Sequence, residues 1–303
     1  MKEGSTLAKK SQFSGMSKAL VRRETISAYL FLLPSLIFFV GFVIIPMGIC
    51  IFSSFFDYNL GTFTFNGIDN YVRMFQDKIF IRGLWNTIII VVVSVPAVTA
   101  FSLWVASAIN PMKALSRSFF RCVFYLPVVT GTVAVTVVWK WMFNPYTGLL
   151  NHILGTSGFD WLGDQRTALL CIILILFTTS IGQPIVLYVA ALGNVDQSLV
   201  EAAEVDGASR LQVFWKIKWP QIMPTTLYIL VITTINSFQC FALIQLLTSG
   251  GPFNSTQTIM YYIYYCGYKL GEFGYGNAMG VILAIIIAVF SAVQFKLTKS
   301  DTE

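Results

Sequence analysis

The stretch best suited to specific chemistry is Ser198 to Pro220, SLVEAAEVDGASRLQVFWKIKWP. It places Glu201, Glu204 and Asp206 ahead of Arg210, Lys216 and Lys218, in a chain that is only 11% charged, where soluble domains average about 25%. Acids on a short helix beside Ala202 and Ala203 suit recognition: small residues let another backbone come close. Two readings of this stretch stay open on pattern alone. It is an interfacial helix pair that anchors a loop, or a small-faced knob that fits a groove on another protein. A second set of residues is polar but uncharged and lies inside apolar runs: Thr178, Thr179, Ser180 and Gln183 in one, Asn236, Ser237, Gln239 and Gln245 in another. Hydrogen bonds between helices would use such groups, at about 0.6 kcal/mol each. A path for a neutral polar solute such as a sugar would use them too.

The elements that position these residues are membrane helices. The chain is 56% hydrophobic over 303 residues, with a mean hydropathy of +0.71. A spanning helix needs about 20 mostly apolar residues. Six runs qualify, at 27–55, 84–109, 118–143, 167–192, 225–247 and 276–298. The first is too long for a secretory leader and has no cleavage-type sequence after it. Prolines at 34, 46, 96, 127 and 184 fall inside runs, as kinks or as devices that open a cavity. The expected fold is therefore all-α and polytopic, with six transmembrane helices.

Orientation follows from the cations. With the N-terminus inside, fourteen Lys and Arg fall on the inner segments, and five (Arg73, Lys78, Arg82, Arg166, Lys269) on the outer ones. Both termini are then cytoplasmic, and the Ser198–Pro220 stretch lies in the longest inner loop, 193–224. Residues 1–26 form a basic cytoplasmic lead, 27–298 the membrane domain, and 299–303 a short tail.

Several functions are disfavoured. Apart from Arg121, Lys140 and Lys296 near run ends, the runs hold no acid and no base, so nothing at mid-membrane couples to an ion gradient or makes a hydrolytic centre. No G-x-x-x-x-G-K-[ST] loop is present. The run GEFGYG, Gly271 to Gly276, joins two spans and is not a dinucleotide fingerprint. Five cysteines without a CxxC pair read as free buried hydrophobes, and the lone His152 has no partner at metal-ligand spacing. No nucleic-acid surface is expected from the bases, which fit a topology signal.

The inner loop has helical grammar. Ser198-x-x-Glu201 predicts a capping box and a helix from Leu199 to Asp206. Gly207 predicts a left-handed C-terminal stop. Ser209-x-x-Gln212 predicts a second box, opening an amphipathic helix with Leu211, Phe214, Trp215 and Lys218 on one face, ending at Pro220.

These residues resemble the EAA motif of binding-protein-dependent ABC importer permeases: E-A-A, three residues, G, nine residues, I, one residue, L-P. Glu201, Ala202, Ala203, Gly207, Ile217 and Pro220 fall in register, with Trp219 in place of the leucine. GIDNYVRMFQDKIFIRGLWNT (Gly67 to Thr87) and IQLLTSGGPFNSTQT (Ile244 to Thr258) resemble the maltose-type, carbohydrate branch. The resemblance covers about residues 25–298. It implies a type I importer permease that is not itself an enzyme, and a coupling helix seated on a cytoplasmic ATPase. Glu201, Ala202, Ala203, Asp206, Gly207 and Arg210 are then the docking residues. It also implies a second homologous permease, an ATPase dimer that holds ATP and Mg, and an extracytoplasmic solute-binding protein, in a bacterial or archaeal cytoplasmic membrane. Solute positions counted out from the motif are Leu176, Ser180, Gln183, Ser237 and Cys240, joined by the polar Thr179, Asn236 and Gln239. The expected solute is an oligosaccharide. Glycerol-phosphate esters or peptides are the alternative within transport, and a membrane enzyme or channel the alternative outside it.

Overall fold

The computed structural model describes residues 18–300, with side-chain surroundings for 22–296. The basic lead expected over 1–26 lies outside the described residues as far as 17, and residues 301–303 of the tail lie outside them too. From Lys18 the chain is helical, so the lead and the first span are not separated at 26. The chain divides into two units, Met1–Phe52 and Ser53–Glu303.

The first unit is a helix: α1 (Lys18–Phe39), a π-helical turn (Val40–Ile44) and α2 (Ile45–Ser53). The Ile45 amide reaches back five residues to the Val40 carbonyl. The wide turn comes two residues before Pro46, whose ring and missing N–H a regular α-helix does not accommodate. Nearly every side chain along this apolar helix is exposed, so its surroundings must be apolar too.

The second unit opens with a hairpin, β1 (Phe56–Tyr58) and β2 (Phe63–Phe65), antiparallel with Phe56 opposite Phe65. An all-helical expectation omitted it. The Asn70 amide donates to the carbonyls of Ser54 (2.8 Å) and Phe56 (2.9 Å), which fixes the hairpin to α3 (Asp69–Gln76).

The central element is α4 (Lys78–Ile109). Its buried positions Phe80, Gly83, Asn86, Thr87, Ile90, Val91, Ser94, Val95 and Val98 step by one or three residues, the spacing of one helical face. Gly83, Ser94, Ser102 and Ala106 keep that face narrow, as close helix packing in membranes requires. Around α4 lie α8 (Ala168–Ser180), α9 (Gly182–Gly193), α12 (Trp219–Phe238) and α14 (Ile259–Tyr264). The last long helix, α15 (Phe273–Ser300), packs on α12 and α14.

Among the described residues, five helices are long and apolar enough to cross a membrane: Arg22–Ser53, Lys78–Ile109, Ala168–Gly193, Arg210–Leu247 and Phe273–Lys296. The sixth expected span, 118–143, is instead two helices, α5 (Ala114–Val129) and α6 (Thr132–Met142), bent by 94°. Thr130 and Gly131 are extended there, and the Thr130 hydroxyl folds back onto the Leu126 carbonyl at 2.9 Å. Counted as one broken span, the pair brings the total to six. A short α7 (Leu149–Leu154) follows.

At one end of α4, Asp77 caps the helix through the amides of Ile79 (2.8 Å) and Phe80 (3.4 Å). It also accepts the hydroxyls of Tyr262 (2.6 Å) and Tyr275 (2.9 Å). Burial pushes its carboxyl up, but these four hydrogen bonds outweigh burial and hold it below its ordinary value. Arg73 lies over the Tyr275 ring at 4.2 Å and pairs with Glu272 at 2.8 Å. The Ser198–Pro220 stretch lies at the opposite end of α4, a helix of roughly 48 Å at 1.5 Å per residue.

Candidate coupling loop and solute cavity

The loop begins at α10 (Gln197–Val205). Ser198 is not its cap. Asp196 is: its carboxylate accepts the Ser198 amide at 2.9 Å and the Ser198 hydroxyl at 2.7 Å. Those bonds, from the Ser198 side chain first, hold the Asp196 carboxyl below its ordinary value. A carboxylate that accepts two donors and stands at the positive end of the helix outcompetes a hydroxyl for the cap position.

The helix ends as expected. Gly207 has φ +80°. Its amide donates to the Glu204 carbonyl (3.1 Å), and the Ala208 amide to the Ala203 carbonyl (2.9 Å). These two bonds are a Schellman stop. Ser209 and Gln212 make the second capping box. The chain does not stop at Pro220, however. From α11 (Arg210–Val213) it passes through a π turn (Phe214–Lys218) directly into α12. The Trp219 amide bonds to the Phe214 carbonyl, five residues back. As before Pro46, the wide turn precedes a proline by two residues, and Pro220 falls in the first turn of α12, where it is tolerated.

Burial splits α10 into two faces. Val200 is buried and, with Val195 and Val213, joins the core that α4, α9 and α12 share. Burying a valine contributes about 1.5–3 kcal/mol. Ala203 packs partly on that core. Leu199, Glu201, Ala202, Glu204 and Val205 are exposed, Val205 to 88%. The two alanines therefore do not form one small face: Ala203 turns inward and Ala202 outward. Asp206, Gly207 and Arg210 are exposed.

The solute positions divide as well. Thr179, Ser180, Gln183 and Asn236 line one cavity of about 160 Å³ between α5, α8, α9 and α12, together with Tyr228 and Thr233. None of its lining side chains carries a charge. The break between α8 and α9 sits here, where Pro184 cannot donate to the Ser180 carbonyl. Ser102 of α4 donates to the adjacent Ile181 carbonyl at 3.3 Å. The Thr179 hydroxyl bonds back to the carbonyls of Ile175 and Leu176 at 2.9 and 3.0 Å. Gly182 lets α5 approach: a Cβ there would strike the Phe124 carbonyl oxygen and lie 2.8 Å from a Val128 methyl. Leu176 and Cys240 stand instead in the packed core. Ser237 is 2% exposed, and Gln239 ends α12 outside the cavity. At that end the Thr258 hydroxyl takes the Cys240 carbonyl (3.1 Å), ahead of α13 (Ala242–Leu247).

Tyr228 and Thr233 were not foreseen, though a signal for them exists. They precede Asn236 by eight and three residues, on its own helical stripe. Arg121 was counted among the inner-segment cations, at the edge of the run 118–143. It lies within α5 and lines an adjoining groove of about 500 Å³ that shares Gln183 and Leu187 with the cavity.

Residues 78–299 match the family described as "Binding-protein-dependent transport system inner membrane component". The chain is 34% identical to the diacetylchitobiose uptake system permease protein NgcF of Streptomyces coelicolor, over 86% of this chain and 79% of that one. It is 31% identical to the sn-glycerol-3-phosphate transport system permease protein UgpA of Escherichia coli, over 90% and 94%. A chain of a bacterial alginate ABC transporter, solved in complex with an alginate pentasaccharide-bound periplasmic protein, superposes with a TM-score of 0.81 at 25% identity, covering 93% of this chain and 97% of that one. With the helical membrane architecture, these matches establish that the chain belongs to the binding-protein-dependent transport system inner membrane components and is a transport permease subunit, not an enzyme.

Proposed function

We propose that this permease carries an oligosaccharide inward, as half of a translocation path completed by a second homologous permease. An extracytoplasmic binding protein delivers the solute. A cytoplasmic ATPase dimer holding ATP and Mg drives the cycle through Glu201, Ala202, Asp206 and Gly207, in a bacterial or archaeal cytoplasmic membrane with both termini inside. The observation that carries this reading is the division of α10: Val200 anchors it to the core, while Leu199, Ala202 and Val205 present an apolar ridge to the outside beside Glu201. A ridge of that kind on a polar loop calls for a protein groove. The uncharged cavity matches a polyhydroxylated solute. At about 160 Å³ it falls short of the roughly 300–1,000 Å³ of ligand pockets, so this chain supplies one wall.

Arg121 favours a second reading, an anionic solute, because it extends the same path with a cation. Uptake kinetics separate the two. Gln183→Ala and Asn236→Ala are expected to raise the KM for a neutral oligosaccharide by about fivefold each, the value of about one lost hydrogen bond, while Arg121→Gln leaves it unchanged. Collapse of uptake in Arg121→Gln identifies the anionic solute. Unchanged KM in both alanine variants removes the cavity from the path.

A further inference from the structure

A separate cleft of about 750 Å³ opens between the last turns of α4 and the Arg210–Lys218 segment. One wall is the stripe of Trp104, Ser107 and Asn110 on and just beyond α4. The other is the amphipathic stripe of Leu211, Trp215 and Lys218, which the docking ridge on α10 does not use. Trp104, Leu211 and Trp215 remain 67%, 72% and 57% exposed. Arg210 and Lys218 add two cations, against the single acid Glu204.

Tryptophan beside lysine and arginine at the end of an apolar span is the chemistry of the membrane interface. A soluble anion would leave the aromatic and leucine surfaces wet. A purely apolar occupant would leave the two cations without partners. We infer that the cleft binds one anionic phospholipid, its phosphate near Arg210 and Lys218 and its acyl chains along Trp104, Leu211 and Trp215. Which leaflet supplies the lipid follows from the orientation proposed above. The lipid also touches Arg210 and Glu204 at the foot of the coupling loop, so it braces that loop against α4.

The test is lipid retention by the intact transporter, measured by native mass spectrometry after exposure to equal amounts of phosphatidylglycerol and phosphatidylcholine, without nucleotide or solute. Each Lys or Arg beside an anionic surface adds a factor of about five in affinity. The intact transporter is expected to retain phosphatidylglycerol preferentially, Lys218→Ala to weaken that retention about fivefold, and Lys218→Arg to keep it. Trp104→Ala lowers retention of both lipids. Equal retention of the two lipids by the unmodified protein, or unchanged retention in Lys218→Ala, overturns the inference. Displacement of phosphatidylglycerol by excess free glycerol phosphate also overturns it, because the site would then be one for a soluble ester. No ATP turnover enters this measurement, so its failure is distinguishable from a failure of the coupling reading.

Discussion

Gly207→Pro is expected to abolish solute-stimulated ATP hydrolysis by the assembled transporter while the permease still inserts and folds. Gly207 holds φ at +80°, whereas the proline ring fixes φ near about −65°. The substitution also removes the amide that bonds to the Glu204 carbonyl. The turn between α10 and α11 must then open, and the exposed ridge loses its angle to the body. Val195, Val200 and Val213 stay in the core, so the membrane helices keep their packing. Stimulation should fall at least about tenfold, the equivalent of about 1.4 kcal/mol of lost coupling. Gly207→Ala, which has only a left-handed strain of about 1–2 kcal/mol to absorb, should retain part of it. Enzymatic phosphate release from the reconstituted complex, with and without solute-loaded binding protein, measures both. Full stimulation in the proline variant would show that the turn does not set the position of the ridge.

Gly182→Val should produce the largest loss of stability among substitutions near the cavity. Its Cβ would strike a backbone oxygen, that of Phe124, which cannot rotate away as a side chain does, and would crowd Val128 and the Tyr125 Cα, the latter at 3.1 Å. Overpacking of this kind costs about 1–3 kcal/mol, and near about 3 kcal/mol where backbone is the obstacle. For a chain of this size that lowers Tm by roughly 6–12 °C. Displacing α5 also moves Val128 off the wall that carries Gln183 and Asn236, so uptake falls as well. Differential scanning fluorimetry of the detergent-purified complex reads the first effect and transport assays the second. Unchanged Tm and uptake would mean that α5 does not rest on α9 during turnover.

What could be read from the residues differs by kind of feature. Long apolar runs are visible because a bilayer imposes a length, and the Gly207 stop is visible because few residues other than glycine accept its φ. The 94° bend at Thr130 and Gly131 is less so: Pro127 signals a kink, but a kink and a break share the same local residues, and packing decides between them. The helix was expected to end at Pro220 because a regular α-helix excludes proline; a π turn two residues earlier removes that conflict here, as it does before Pro46. Ser198 lost the cap because Asp196 was a better acceptor two residues away. In the cavity, Thr179, Ser180, Gln183 and Asn236 came together because their spacing keeps them on facing stripes of α8, α9 and α12. Leu176 and Cys240 were counted out from the motif, as Ser180, Gln183 and Ser237 were, and a count along the chain carries no information about which side of a helix faces the core. Arg121 was hidden because charge near a span end reads as topology. Whether it serves topology or solute depends on the neighbouring Gln183, which only the folded chain brings beside it.

Under the proposed function, the exposed side of α10 is where ATP hydrolysis is joined to transport. The most direct measurement is solute-stimulated ATP hydrolysis by the purified, reconstituted complex carrying Glu201→Lys. Glu201 is exposed and no hydrogen bond or ion pair involving its side chain is observed within the described chain, so reversing its charge should leave the fold and membrane insertion intact. Basal hydrolysis is expected to persist while stimulation by solute-loaded binding protein disappears. Stimulation equal to that of the unmodified complex would contradict it.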